Sequence, residues 1–353
     1  MGEAYNRDGT TPPVEIYGPE GLRMWLRVAI RYSVSRIVPP YRVHELMDLP
    51  MAPEWEFSTK SRRFFYRGRS QDQPKEWGSQ GLAGQDPSSW ISQANRMPLE
   101  ASPLYGEIEG GRDIYPQYNH PLSSDGAPVY EVEDERDVKV YAAPMSHGIP
   151  CVGYVVHELP RPGRLRNELV DPIVQRNLEA LRQAGYKIPL KAKAVIKNMP
   201  AGSSFTFPDG TVVTQEEAVE PERQGRRVVI CGDTCDSRAL LKLAQDADVV
   251  IHESTNAYLP GLESKDTDAR SVTRDAILHG HSTPAIAARF AKAVQAKRLV
   301  LNHFSSRYMG DTSVESLSIM QRIEEQAVRQ VPGWNETHVA AAWDFMVLPV
   351  PPK

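Results

Sequence analysis

A chain of 353 residues with 41% apolar side chains has enough material for one large or two modest folded domains, which excludes small disulfide-built scaffolds and wholesale disorder. Its 41 Lys and Arg against 45 Asp and Glu leave a net charge of −4, so any polyanionic partner must be met by a local basic patch rather than a global field. Cys151, Cys231 and Cys235 form no CxxC pair, and no window approaches the roughly 18 apolar residues of a membrane span, so we expect a cytoplasmic or nuclear protein with no membrane partner.

In chain order, VEIYG at 14–18 predicts a short strand. Pro19 to Val34 carries a helical apolar period through Leu22, Trp25, Leu26, Ala29 and Ile30, and YRVHEL at 41–46 returns as a strand. From 56 to 135 Ser, Gln, Gly and Pro dominate, and so long a stretch without pattern predicts a polar, partly disordered insertion. Within it KSRRFFYRGR (60–69) interleaves aromatics with cations; a strand with a basic turn fits it better than RNA contact. Pattern resumes at Val138, where VKVYAAPMSH and CVGYVVHE predict a hairpin. Residues 161–200 then hold nine Lys or Arg against three acids.

RRVVICGDT, ADVVIHEST and KRLVLNHFS share one design, an apolar run ending at a chemically able residue, as expected of strands covered on both faces. Ser237 to Ala244 and Pro284 to Val294 have helical spacing, with Ser282 and Thr283 as N-caps for the second. A helix at about 314–329 precedes a last strand, HVAAAWDFMVLPV. The expected architecture is a layered α/β fold with functional groups on loops at its strand ends.

Those strand ends collect His147, Asp233, Glu253, His281 and His303. Imidazole and carboxylate are zinc ligands, and a carboxylate can bridge two metals. For each residue alone, an ordinary satisfied polar side chain is the commoner outcome. His44 and His157 sit in strand patterns and His252 should face away from Glu253, which favours core or supporting roles.

The strings PMSHGIPCVGYVVHE, VVICGDT, VVIHEST and GHSTPAIAARFAKAVQAKRLVLNHFSSRY together resemble successive motifs of short-form ribonuclease Z, the tRNA 3′-processing endonuclease of the metallo-β-lactamase superfamily. IYGPEGLR and YRVHEL resemble its earlier segments, so the likeness covers about 14–48 and 138–310. The resemblance implies a metallo-β-lactamase αββα sandwich: a partial N-terminal half at 1–55, the polar insertion at 56–135, and a C-terminal half at 136–353 that contains a basic arm at 160–210. It implies two Zn2+ per site, with His147, Asp233 and His303 as ligands and Asp233 bridging. His281 with Glu253 would form the proton-transfer pair.

The implied activity is zinc-dependent endoribonucleolytic removal of 3′ trailers from precursor tRNA, in a family that is commonly homodimeric. Position in the chain likens the basic segment to the arm with which that family grips tRNA, and Arg161, Arg164, Arg166, Lys187, Lys191, Lys193 and Lys197 would touch RNA. Charge alone fits a solvated helix face equally well. The sequence departs from the family in one respect: no HxHxDH string occurs among its residues, and the only HxH is His279 to His281. We therefore expect a chain that is N-terminally incomplete, binds metal weakly and has little nuclease activity alone. The alternatives are a non-catalytic RNA-binding or partner subunit, and another phosphodiesterase on the same fold.

Overall fold

The computed structural model describes residues 12–32, 40–50, 106–134 and 137–351, with backbone alone at 31 and 32. KSRRFFYRGR and the rest of 51–105 lie outside the described residues. Two units are distinguished, Met1–His157 with Arg227–Pro349, and Glu158–Arg226 with Val350–Lys353.

The first unit starts with a crossover. β1 (Val14–Pro19) and β2 (Tyr41–Leu46) are parallel, Val14 opposite Tyr41, and α1 (Leu22–Tyr32) makes the return that a parallel pair requires. β3 (Asp113–Ile114) pairs parallel on the free side of β2. Buried Glu45 of β2 accepts hydrogen bonds from the backbone of Gly21 (2.9 Å) and Arg23 (3.0 Å), fastening the start of α1 to the sheet. Leu46, on the opposite face of β2, enters a core with Ile114, Tyr130 and Val132.

β4 (Tyr130–Asp134), β5 (Val138–Met145) and β6 (Cys151–Glu158) begin the larger sheet. β7 (Ser204–Thr206) and β8 (Val212–Thr214) belong to the second unit. β9 (Arg227–Ile230), β10 (Val249–Glu253), β11 (Leu299–Asn302) and β12 (Val339–Ala341) complete a seven-stranded order β12-β11-β10-β9-β6-β5-β4. β9 to β12 run parallel, and β9 meets β6 antiparallel.

Alternation on β5 and β6 shows why this sheet is a middle layer. Ala142 and Val152 face the core shared with Leu46, whereas Ala143, Met145 and Val155 face a second core. Four helices, α2 (Asn167–Arg176), α3 (Leu178–Gln183), α4 (Lys191–Lys197) and α5 (Gln215–Ala218), are in the second unit, and α6 (Ala269–Leu278) follows β10 in the first. The second core of the sandwich is closed by Ala287, Phe290 and Ala291 of α7 (Pro284–Ala293) and by Ile323 and Ala327 of α8 (Val314–Val328). Helix, sheet, sheet, helix is the expected αββα sandwich.

The second unit folds on its own core of Val170, Val174, Leu181, Ile196, Phe207 and Val213, with β7 and β8 as a hairpin and α5 held by a Thr214/Glu217 capping box. Its two chain ends pass so closely that a Cβ on Gly163 would stand 1.7 Å from the Glu220 carbonyl oxygen, and one on Gly225 would stand 1.5 Å from that of Glu158. Only glycine fits either position.

Four expectations change. The stretch 106–134, expected to be insertion, supplies β3 and β4 to the two sheets; its apolar signal is only a few residues long, but Tyr130 and Val132 are buried. Ser237 to Ala244 forms a 3-10 turn at Arg238–Leu240 followed by turns, because the Asp236 carboxylate accepts from the Arg238 N–H and tightens the start, while Leu240, Leu243 and Ala244 still reach the core. The last strand is only Val339–Ala341; a turn closed by Met346 N–H to Trp343 O, with Phe345 at φ 64°, ends it. The run at β9 is less covered than expected, with Ile230 40% exposed, whereas Val249 and Val250 of β10 and Leu299 to Leu301 of β11 are buried on both faces as expected.

Candidate metal-dependent active site

Parallel strands end on the same side of a sheet, and ligand chemistry in open α/β sheets gathers at the carboxyl ends. Here β9 runs into Cys231-Gly232-Asp233, β10 ends on Glu253, and β11 runs into His303. His147 comes from the β5–β6 turn and His281 from the link between α6 and α7. His303 stands at φ 54°, a left-handed backbone in which non-glycine residues are uncommon and which histidine adopts more readily than most.

Three of the five expected residues present candidate ligand atoms to one place, and His147 stands at its edge. Asp233, His281 and His303 each offer an atom within 4.8 Å of the others. Asp233 Oδ2 is 3.3 Å from His303 Nε2 and 4.0 Å from His147 Nε2. The ring centroid of His281 lies 5.0 Å from that of His147 and 5.3 Å from that of His303. Asp233 thus has both His147 and His303 as neighbours, and His281 lies in the same group of candidate donor atoms.

Glu253 is the hub behind them. It is 1% exposed, and its Oε1 accepts from Thr234 N–H (2.6 Å) and His281 Nδ1 (3.1 Å). Its Oε2 accepts from Thr255 Oγ1 (2.6 Å) and Ser282 N–H (2.9 Å). Four donors satisfy a carboxylate that burial would otherwise penalise.

These bonds fix the histidine tautomers. A carbonyl and a carboxylate only accept, so His147 donates its Nδ1–H to Gly280 O (2.9 Å) and His281 donates its Nδ1–H to Glu253. The Thr255 hydroxyl spends its one proton on Glu253, so it accepts from His303 Nδ1 at 2.9 Å. All three rings thus keep an Nε2 lone pair for the Asp233 side, the arrangement that metal-binding histidines show. Donor atoms around a tetrahedral zinc ion stand roughly 3.4 Å apart, a spacing close to the 3.3 Å between Asp233 Oδ2 and His303 Nε2 and somewhat shorter than the 4.0 Å to His147 Nε2.

The supporting residues left little trace in the sequence. Thr255, which links Glu253 to His303, is the last letter of HEST, and its small polar type was the only signal. Ser282 and Thr283 do not cap α7 with their side chains: the Ser282 hydroxyl donates to Thr234 O (2.6 Å), and the buried Thr283 Oγ1 has no hydrogen-bond partner. Pro284 at the first helical position, with no N–H to satisfy, lessens the need for a cap there. His252 faces away from Glu253, as expected, and is buried against Ser237 Oγ at 2.7 Å, where burial lowers its basicity. His44 binds Glu15 at 2.7 Å and stacks on Tyr17. Burial, with Asp233 nearby, pushes the Cys151 thiol up to about 12, so it is no nucleophile.

The seven basic residues of the arm are all in the second unit, but not equally available. Lys193 pairs with Asp171 at 2.5 Å, Arg166 donates to Glu217 O, and Arg161 lies 3.8 Å from Glu158. Lys187, Lys191, Lys197 and Arg164 are exposed.

No family model matches the chain. It is 30% identical over 352 residues to bovine zinc phosphodiesterase ELAC protein 1, covering 98% of this chain and 76% of that protein. It is 31% identical over 219 residues to ribonuclease Z of Bacillus subtilis, covering 62% of this chain and 58% of the relative. Among solved structures, human tRNase Z, short form, matches with a TM-score of 0.43 at 23% identity, over 96% of this chain and 68% of that one. The chain belongs to the family of ribonuclease Z and the ELAC protein 1 zinc phosphodiesterases.

Proposed function

We propose that this site serves zinc-dependent hydrolysis of an RNA phosphodiester, the removal of 3′ trailers from precursor tRNA. The observation that carries it is the convergence of three Nδ1–H histidines and Asp233 in front of a four-donor Glu253. His147, Asp233, His281 and His303 would hold the ion. A zinc ion there lowers the pKa of water and offsets charge on phosphoryl oxygens. Glu253 orients His281, which in its doubly protonated, uncoordinated form would carry an Nε2–H able to pass to a leaving 3′ oxygen, the ring returning to the Nδ1–H form held by Glu253. The arm's exposed Lys187, Lys191 and Lys197 add attraction for phosphates.

The test is cleavage of a 3′-trailered precursor tRNA by the full chain with zinc, beside Asp233→Ala. Weak cleavage by the wild type, in keeping with the absent HxHxDH string, and none by the variant is expected; equal cleavage by both overturns the assignment. A second reading, RNA binding without cleavage, is favoured by one observation, the lack of an HxHxDH string among these residues. Binding of precursor tRNA with no cleavage at any zinc concentration would establish it. Among the described residues one cluster of three such donors is found, so zinc is expected at one equivalent per chain, and two equivalents would refute that count.

A further inference from the structure

Away from the strand ends, α6, α7 and α8 build a cationic surface on the first unit. A groove of 540 Å³ is lined by Arg270 and Arg274 of α6 and Arg289 of α7. Its remaining walls are the small or apolar Ala269, Thr273, Ile277 and Leu278. A second cavity of 470 Å³ shares Ala269 and Thr273 with it and continues along Arg322 of α8 to Thr283, two residues beyond His281.

Three features separate this groove from an ordinary solvated helix face. Arg270 and Arg274 are one turn apart, so their side chains rise on one side of α6, and Arg289 meets them from the next helix. All three are exposed, and none has an ion pair within 4.0 Å among the described residues, whereas many exposed arginines of this chain do, including Arg176, Arg182, Arg238 and Arg329. The Asp268 carboxylate at the start of α6 offsets part of the Arg270 charge, but three gathered cations still exceed it, which is unfavourable, and a bound anion lessens the cost. At the far end, the buried Thr283 hydroxyl lacks a hydrogen-bond partner in a cavity that opens toward the same surface.

We propose that the α6–α7 groove binds the phosphodiester backbone of RNA, with Arg270, Arg274 and Arg289 each meeting a phosphate. Guanidinium is the side chain suited to phosphate oxygens, and an open groove bearing successive cations suits a polymer. The apolar floor of Ile277 and Leu278 gives sugars and base edges a surface that needs no hydrogen bonds. The substrate class rests on the reading of the active site as an RNA phosphodiesterase. None of the groove's lining residues belongs to the second unit, which carries the basic arm.

The test is equilibrium binding of a fluorescent precursor tRNA to the full chain over a salt series, with cleavage measured in parallel. The triple variant R270Q/R274Q/R289Q should bind at least tenfold more weakly at about 0.1 M salt. Its log Kd against log salt slope should fall by roughly two, at about 0.7 to 0.9 for each phosphate that is no longer neutralised. The charge-reversed R270E/R274E/R289E should be weaker still, and a zinc titration and thermal melt matching wild type establish that both are folded. Unchanged affinity and slope in both variants overturn the groove. Failure of the active-site reading looks different: the wild type binds in an arginine-dependent way but Asp233→Ala leaves any cleavage untouched. Wild type that fails to bind precursor tRNA overturns the groove outright.

Discussion

The active-site loops and the basic arm were both found through charged residues, but they hold their charges in opposite ways. Glu253 is buried and receives four hydrogen bonds, each from a different residue, so its position is over-determined. In the arm, Lys193 and Arg176 are tied to single carboxylates at the surface, and Lys187, Lys191 and Lys197 project from it. Removing one partner in the first case orphans buried groups, whereas in the second it exposes a charge to water. A count of charges in sequence therefore overstates the arm and understates the site.

The contrast is broken most severely at its centre. Glu253→Ala strands two backbone N–H groups, a hydroxyl and an imidazole N–H. At about 1–3 kcal/mol for each buried orphan, partly relieved by water, a loss of at least about 3 kcal/mol is expected in denaturant unfolding. A milder cost, with zinc affinity retained, would show that the hub is not structural. Next comes Thr255→Val, which removes the link between Glu253 and His303 while leaving every proposed ligand in place. Zinc affinity should fall roughly 10- to 100-fold in competition with a chelator, the usual effect of losing an outer-shell partner.

Acid should separate the two regions further. The Arg226 guanidinium, bonded to Glu158 at 2.7 and 2.8 Å, holds that carboxyl down at about 2. Its folded-state value is depressed, so the pair's contribution is complete above the ordinary carboxylate range and is lost as pH falls through about 2. Arg226→Gln should therefore make the arm's stability less dependent on pH between about 5 and about 2, read from urea midpoints at the two ends; an unchanged slope would dissociate the pair from arm stability. The smallest difference lies within the arm. Lys193→Gln should change precursor tRNA affinity less than roughly twofold, since Asp171 already neutralises it, and Lys191→Gln should do more. The reverse ranking in one binding series would mean that the Asp171 pair opens on RNA.

The layered fold was legible because apolar runs at β9, β10 and β11 end on residues with chemistry, and a period-two pattern at β5 and β6 survives in sequence. β3 and β4 were not, because a two-residue strand and a five-residue strand set among Gly, Ser and Pro carry too little periodicity to stand out. Ser237 to Ala244 misled for the opposite reason: the spacing of Leu240, Leu243 and Ala244 is that of a helix, although a 3-10 turn satisfies it equally. At the site, the five chemically able side chains were legible by position. Their tautomers were not, since those depend on Gly280, Thr255 and Glu253, which meet the histidines only through long-range pairing.

The arm's core residues all fall within one stretch of chain, Glu158 to Arg226, which closes where Gly163 and Gly225 admit no side chain. The site, by contrast, takes His147 from before that stretch and Glu253, His281 and His303 from after it. During synthesis from the N-terminus, the arm's core can therefore close while the ribosome has yet to deliver most of the catalytic groups. A nascent chain thus completes the arm first and the candidate metal site last, when β11 takes its place beside β10.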